Sequence, residues 1–134
     1  MVYQVVNCSK DIHTHLTKNL SIYVKDVKEL DLDFFLTDLA VSSMGNLNQI
    51  FTSSLLEFIS LEGDNQRILN IIQKLKPYIY FLCLVDENNN IGNLKESKEY
   101  YEKLEILKAV NKVKVVFIQN TKEAISEYFK RYKH

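Results

Sequence analysis

Three groups of side chains have types and positions that could support chemistry. Cys8 follows an apolar run and precedes Ser9, a residue that could cap a short helix, and a helix amino terminus lowers the pKa of a nearby thiol. That placement suits a nucleophile, with an incidental or buried cysteine as the alternative. Asp38 and Asp86 lie near the carboxyl ends of two predicted strands, and two carboxylates at the carboxyl edge of a sheet could hold Mg²⁺ for phosphoryl or phosphodiester chemistry. Solubilising strand ends are the alternative for this pair.

A third group combines His13 and His15 with the thiol of Cys8. If this segment were extended, alternate residues would share a face and could contribute metal ligands. A fourth ligand is not obvious, so surface histidines without a metal are the alternative. The pattern predicts no cofactor, because no dinucleotide fingerprint, metal cassette or glycine-rich phosphate loop is present.

The order of apolar segments predicts an α/β fold that would position these side chains. Residues 78–85 form a continuous apolar run, as expected for a strand that is covered on both faces. Further strands are predicted at residues 2–6, around Leu20, Ile22 and Val24, and at residues 33–39 and 112–118.

Helices are predicted between these strands from apolar residues at three- and four-residue steps. The clearest such pattern runs from Leu47 to Ile59. The others are a weak helix that carries Ile12 and Leu16, one through residues 68–75 that ends before Pro77, one through Tyr100, Leu104 and Leu107, and a last helix capped by Asn120 or Thr121.

Composition limits the classes of function. The 134 residues are expected to form one domain, 1–134, and the 17 basic and 17 acidic side chains cancel. Nucleic-acid binding is therefore disfavoured, because it depends on net positive charge. The absence of a long apolar run or an apolar leader predicts a cytoplasmic protein without a membrane partner.

The charge is unevenly distributed along the chain. Residues 1–67 hold five basic and nine acidic side chains, whereas residues 68–134 hold twelve and eight. This asymmetry could support head-to-tail contacts, although solvated faces are the ordinary explanation.

The segment from residue 33 onward resembles the STAS domain of anti-sigma-factor antagonists. The predicted order is a strand, the loop Ser42-Ser43-Met44-Gly45, and then alternating helices and strands that end in a capped helix. In that family a serine of the corresponding loop, at the amino terminus of the next helix, is phosphorylated. The resemblance implies Ser43, or Ser42 after a one-residue shift, as the phosphorylation candidate, although the family's aspartate is missing here.

The resemblance also implies how such a switch would work. A helix amino terminus accommodates a phosphate, and the phosphate would add roughly −1.5 to −2 charges to this surface. The implied contact surface comprises Asp38, Met44, Gly45, Asn46 and Leu47.

Together these patterns predict a single α/β domain with one mixed or parallel sheet of about four or five strands and four or five packed helices. A STAS-like arrangement is the first choice and a flavodoxin-like or Rossmann-like sheet is the alternative. The predicted function is a regulatory protein-interaction module, more a binding protein than an enzyme, whose partner is a protein such as a regulator or a kinase-like protein. A homodimer through an edge strand is also open. The alternative function is a small enzyme or nucleotide sensor that uses Cys8 or the pair Asp38 and Asp86.

Overall fold

The computed structural model describes residues 2–25, 37, 49–51, 55–75 and 78–131. Its strands form one sheet in the order β2-β3-β1-β4-β5, and every pairing between neighbours is parallel. The predicted α/β class is therefore confirmed. Three longer strands form the middle and one side of the sheet, and two three-residue strands form the other side. The strands are β1 (Val2–Val6), β2 (Tyr23–Lys25), β3 (Gln49–Phe51), β4 (Ile79–Val85) and β5 (Val113–Gln119).

Four α-helices lie within the described residues. The first continues directly into a π-helix, His15–Asn19, and a short 3-10 helix, Leu55–Phe58, follows β3. The α-helices are α1 (Lys10–Thr14), α2 (Gln66–Lys74), α3 (Leu94–Leu107) and α4 (Lys122–Arg131).

Alternation along the central strands divides the core into two layers. Phe81 and Cys83 of β4 pack with α2, α3 and the 3-10 helix on what we call face A. Leu82 and Leu84 pack with α1 and α4 on the opposite side, face B. Because helices cover both faces, β4 is almost wholly buried, which explains why its sequence is a continuous apolar run.

Polar side chains cap the amino termini of α1 and α3, and the cap at Ser9 is the predicted one. Ser9 Oγ accepts the backbone N–H of Ile12 at 3.3 Å and caps α1. Asn93 Oδ1 accepts the N–H of Glu96 at 2.8 Å and caps α3. Each cap satisfies one of the amides that a helix amino terminus leaves unpaired, and so fixes where the helix begins.

The helix predicted between Leu47 and Ile59 is wrong. Gln49–Phe51 is strand β3, which pairs with β1 through Tyr3 and Ile50 and through Gln4 and Phe51. After it, the buried Gln4 side chain accepts the N–H of Leu55 at 2.8 Å and holds the start of the 3-10 helix. Hydrogen bonds to the neighbouring strand have replaced those of the expected helix.

The strand predicted at residues 33–39 is also contradicted at the one position of that segment that the structure describes. Thr37 has helical backbone geometry and an exposed side chain. The other positions of the segment lie outside the described residues.

Candidate functional site

The carboxyl edge of the sheet brings two of the predicted site residues to the same place in the fold. Strands β1 and β4 are neighbours, with Val6 opposite Cys83. The strand that follows β1 in sequence lies to one side of this pair, and the strand that follows β4 lies to the other. Such a reversal of strand order opens a crevice in which α/β proteins bind ligands. Cys8 is the second residue after β1, and Asp86 directly follows β4.

The Asp86 side chain forms hydrogen bonds within its own loop. Its Oδ1 accepts the backbone N–H groups of Asn88 at 2.8 Å and of Asn90 at 2.9 Å. Its backbone N–H also donates to the carbonyl of Asn90 at 3.0 Å. This is a carboxylate that closes a turn by bonding nearby amides. The geometry gives Asp86 a structural role at the edge of the crevice.

Cys8 has a partly exposed thiol at this edge, and its Sγ lies 3.6 Å from the carbonyl oxygen of Ser9. The connection from β1 to α1 consists of Asn7, Cys8 and Ser9 and holds no glycine, so it does not match a glycine-rich phosphate-binding loop. Asp38, the other proposed metal ligand, lies outside the described residues. Within the ranges that the structure describes, no group of three or more His, Cys, Asp and Glu side chains could hold a metal ion.

The predicted metal role of His13 and His15 is not supported, because the segment is helical and not extended. His15 is buried between the π-helix and α4. Its Nε2 lies 2.7 Å from Ser126 Oγ and its Nδ1 lies 3.0 Å from Asn19 Nδ2. Its Nε2 contact therefore joins the π-helix to α4, whereas its Nδ1 contact with Asn19 stays within the π-helix.

The residues that the STAS resemblance singles out lie outside the described residues. They are Asp38, Ser42, Ser43, Met44, Gly45, Asn46 and Leu47. The strand at Gln49–Phe51 differs from the helix expected after this loop.

The strand order places β5 at an end of the described sheet, so its outer side forms a second candidate surface. Among the described strands, β5 pairs with β4 alone. Asn120 donates its N–H to Val85 at 2.8 Å, and the carbonyl of Lys112 accepts the N–H of Ile79 at 2.9 Å. In a parallel ladder, alternate residues direct both backbone groups to the same neighbour. The even-numbered residues of β5 thus bond to β4, and the N–H and C=O groups of Val115 and Phe117 point outward.

Face A of this edge carries an exposed aromatic side chain. Phe117 is 44% exposed. Its ring stacks on that of Tyr101, with 5.7 Å between centroids and 25° between planes. The Tyr101 hydroxyl donates to the carbonyl of Asn89, which fixes the ring from its other end. An apolar surface therefore lies directly beside the outward backbone groups.

Face B of the same edge carries positive charge. The Nζ atoms of Lys112 and Lys114 each lie 5.7 Å from the centroid of the Tyr78 ring, which is 49% exposed. Residues 106–122, which include β5, contain lysine at 108, 112, 114 and 122 and no acidic residue. We call the outward backbone of Val115 and Phe117, together with these flanking side chains, the β5 edge.

The sequence predicted the strand at residues 112–118 but not that this strand lies at an edge of the described sheet. The alternation of Lys112, Val113 and Lys114 was a usable signal, because lysine is enriched on edge strands.

A shallow pocket of about 140 Å³ lies between α3 and the 3-10 helix. Burial raises the pKa of Tyr100 in this pocket, and the charges of Glu96 and Glu57 raise it further. Tyr100 is therefore a neutral hydroxyl at physiological pH. The pocket is lined by Leu56, Glu57, Glu96, Glu99, Tyr100 and Lys103.

No protein-family model matches this chain, and no curated protein matches it. Among solved structures, the chain is similar to the solution NMR structure of a de novo designed protein with the P-loop NTPase fold. The TM-score is 0.52 with 16% sequence identity, over 99% of this chain and 94% of the designed one. At this identity the similarity shows the fold alone. The order of the described strands also differs from the flavodoxin-like order, in which β1 lies between β2 and β3.

None of the helices in the described ranges is both long enough and apolar enough to cross a membrane. The predicted cytoplasmic location stays a prediction.

Proposed function

We propose that this chain is a protein-interaction module that binds its partner by adding a strand to the β5 edge. The observation that carries the proposal is the row of outward backbone groups at Val115 and Phe117. An extended segment of a partner can pair with such a row, and pockets for alternate side chains then give specificity. The exposed Phe117 ring beside this row supplies one apolar contact.

Proline substitutions test the proposal, because proline removes one N–H group at a chosen position. Val115→Pro removes an outward N–H and is tolerated on an edge strand, whereas Val116→Pro removes a bond to β4. We therefore expect Val115→Pro to stay folded by circular dichroism and Val116→Pro to lose stability. This pair of variants checks the assigned direction of the backbone groups before any binding is measured.

The binding experiment is affinity capture from the source organism with the full chain and with Val115→Pro. The proposal expects a set of proteins that the unaltered chain captures and the folded variant does not. An identical set for both proteins would refute it. Sedimentation of the purified chain shows whether the captured partner is a second copy.

A regulatory switch at Ser43 or Ser42, which the STAS resemblance implies, belongs to the same proposal. Its support is chemical, since a phosphate adds charge and new hydrogen-bond acceptors to a contact surface. Mass spectrometry of protein from its native host should find phosphate on the peptide that contains both serines, and Ser43→Asp should weaken partner capture. Unmodified protein under every growth condition, with normal capture by the variant, would remove the switch.

A small enzyme or nucleotide sensor is the second candidate function. It is favoured by the position of Cys8 at the reversal of strand order, where sheets of this kind bind ligands. A ligand of the folded state raises the melting temperature by mass action. Thermal scans with nucleotides and divalent ions should then show a shift that Cys8→Ser reduces, and scans without any shift would count against this candidate.

A further inference from the structure

We infer that the segment bound at the β5 edge is an extended, acidic peptide strand that alternates apolar and carboxylate side chains. This inference rests on the proposed function and names the chemistry of its partner. It follows from the different characters of the two sides of β5.

The apolar half of the pattern is set by face A. A strand that pairs with Val115 and Phe117 places every second side chain on this face, next to the Phe117 ring that stacks on Tyr101. Pairs of an aromatic and a β-branched side chain across neighbouring strands are favourable. Valine, isoleucine or threonine is therefore expected at alternate positions of the partner.

The acidic half of the pattern is set by face B. Tyr78 holds the ammonium groups of Lys112 and Lys114 on the same ring, each at 5.7 Å from its centroid. The surrounding residues 106–122 contain four lysines and no acidic residue in sequence, so this stretch of the chain is positively charged. Opposite charges on paired strands attract, whereas like charges directly opposite repel. Glutamate or aspartate is therefore expected at the intervening positions.

A nucleic acid fits this surface less well, although it too would meet lysine and aromatic side chains. The outward N–H and C=O groups of Val115 and Phe117 alternate along the edge, and only another peptide backbone presents the complementary alternation.

Labelled synthetic peptides test the inference directly. One probe alternates valine or threonine with glutamate, a second has lysine in place of each glutamate, and a third is a single-stranded oligonucleotide. Fluorescence anisotropy at low salt should show the glutamate peptide binding roughly tenfold more tightly than the lysine peptide, because two exposed charge pairs change from attraction to repulsion. Added salt should reduce this ratio.

The combined substitutions Lys112→Glu and Lys114→Glu should reverse the preference toward the lysine peptide. Lys114 is exposed and Lys112 is partly buried, so circular dichroism checks the fold of the double variant, and Lys114→Glu alone, at the exposed position, should already reduce the preference for the glutamate peptide. As a matched control, Lys10→Glu with Lys18→Glu changes the same charge on exposed residues of the α1 and π-helix segment and should leave the ratio unchanged.

Three results would overturn the inference. The two peptides bind equally tightly, neither peptide binds, or the oligonucleotide binds equally tightly and the substitutions Lys112→Glu and Lys114→Glu abolish that binding. The proposed function survives such a result if the Val115→Pro variant still fails to capture proteins that the unaltered chain captures. If Val115→Pro captures the same proteins as the unaltered chain, the proposed function is refuted independently of the peptide results.

Discussion

The Cys83 thiol should be almost inert in the folded protein. The side chain is fully buried in the middle of β4. Burial raises its pKa from 9.0 to about 12, with a smaller opposing effect of Lys108. Only the thiolate attacks a disulfide reagent. At about pH 8, a thiol with the raised pKa has roughly a thousandfold less thiolate than an ordinary one, so its labelling should be slower by at least that factor.

The assay follows Ellman's reagent with Cys8→Ser, in which Cys83 is the sole thiol. The same variant in concentrated guanidinium chloride gives the rate of the exposed group, and steric exclusion in the fold adds to the effect of the pKa. The reciprocal control, Cys83→Ser, retains the partly exposed Cys8, which should react far faster than Cys83 under native conditions. A native rate for Cys83 within about tenfold of its denatured rate would refute the burial on which the reasoning depends.

Three further predictions concern stability. Phe81→Ala removes a fully buried ring and should lower the free energy of unfolding in urea by about 3–5 kcal/mol, and a loss below about 1 kcal/mol would contradict its place in the core. Asn93→Ala removes the cap bonded to Glu96 and should cost about 0.5–2 kcal/mol, whereas Asn93→Ser should retain most of it. The folded state favours the neutral Cys83 thiol, whose pKa is raised from 9.0 to about 12. Its contribution to stability is complete below pH 9.0 and is lost as pH rises toward about 12. Urea titrations above pH 9.0 should therefore show a steeper loss for the unaltered chain than for Cys83→Ala, by up to about 1.4 kcal/mol per pH unit, and equal slopes would contradict it.

Elements with an unambiguous local pattern could be predicted from sequence. The run at residues 78–85 became β4 at Ile79–Val85, and the charged stretch around Tyr100 became α3. The last helix also begins as expected, since Thr121 Oγ1 accepts the N–H of Ala124 at 3.1 Å. In each case the apolar spacing and a capping residue point to the same element.

The segment between Leu47 and Ile59 shows why other elements could not be predicted. Apolar residues at three- and four-residue steps fit a helix, yet short apolar runs also occur in buried strands. Ile50 and Phe51 pair with β1, which lies far away in sequence, and this pairing makes the segment a strand. Local spacing contains no information about that neighbour.

The candidate site depends on tertiary structure even more strongly. His15 gave a metal hypothesis from sequence, but the fold brings its ring to Ser126, 111 positions along the chain. The sequence also placed Asp86 at a strand end correctly, but could not show that its Oδ1 is already bonded to Asn88 and Asn90.

By itself, the sequence determined which segments alternate or run apolar, and hence an α/β chain with strands such as β4 and β5. Only the tertiary structure decided that β4 is central and β5 lies at an edge of the described sheet. The physical reason is that strand order is set by hydrogen bonds and helix packing between distant segments, whereas apolar periodicity reports only which faces of each segment are buried. The outward backbone groups of Val115 and Phe117 are a consequence of that order.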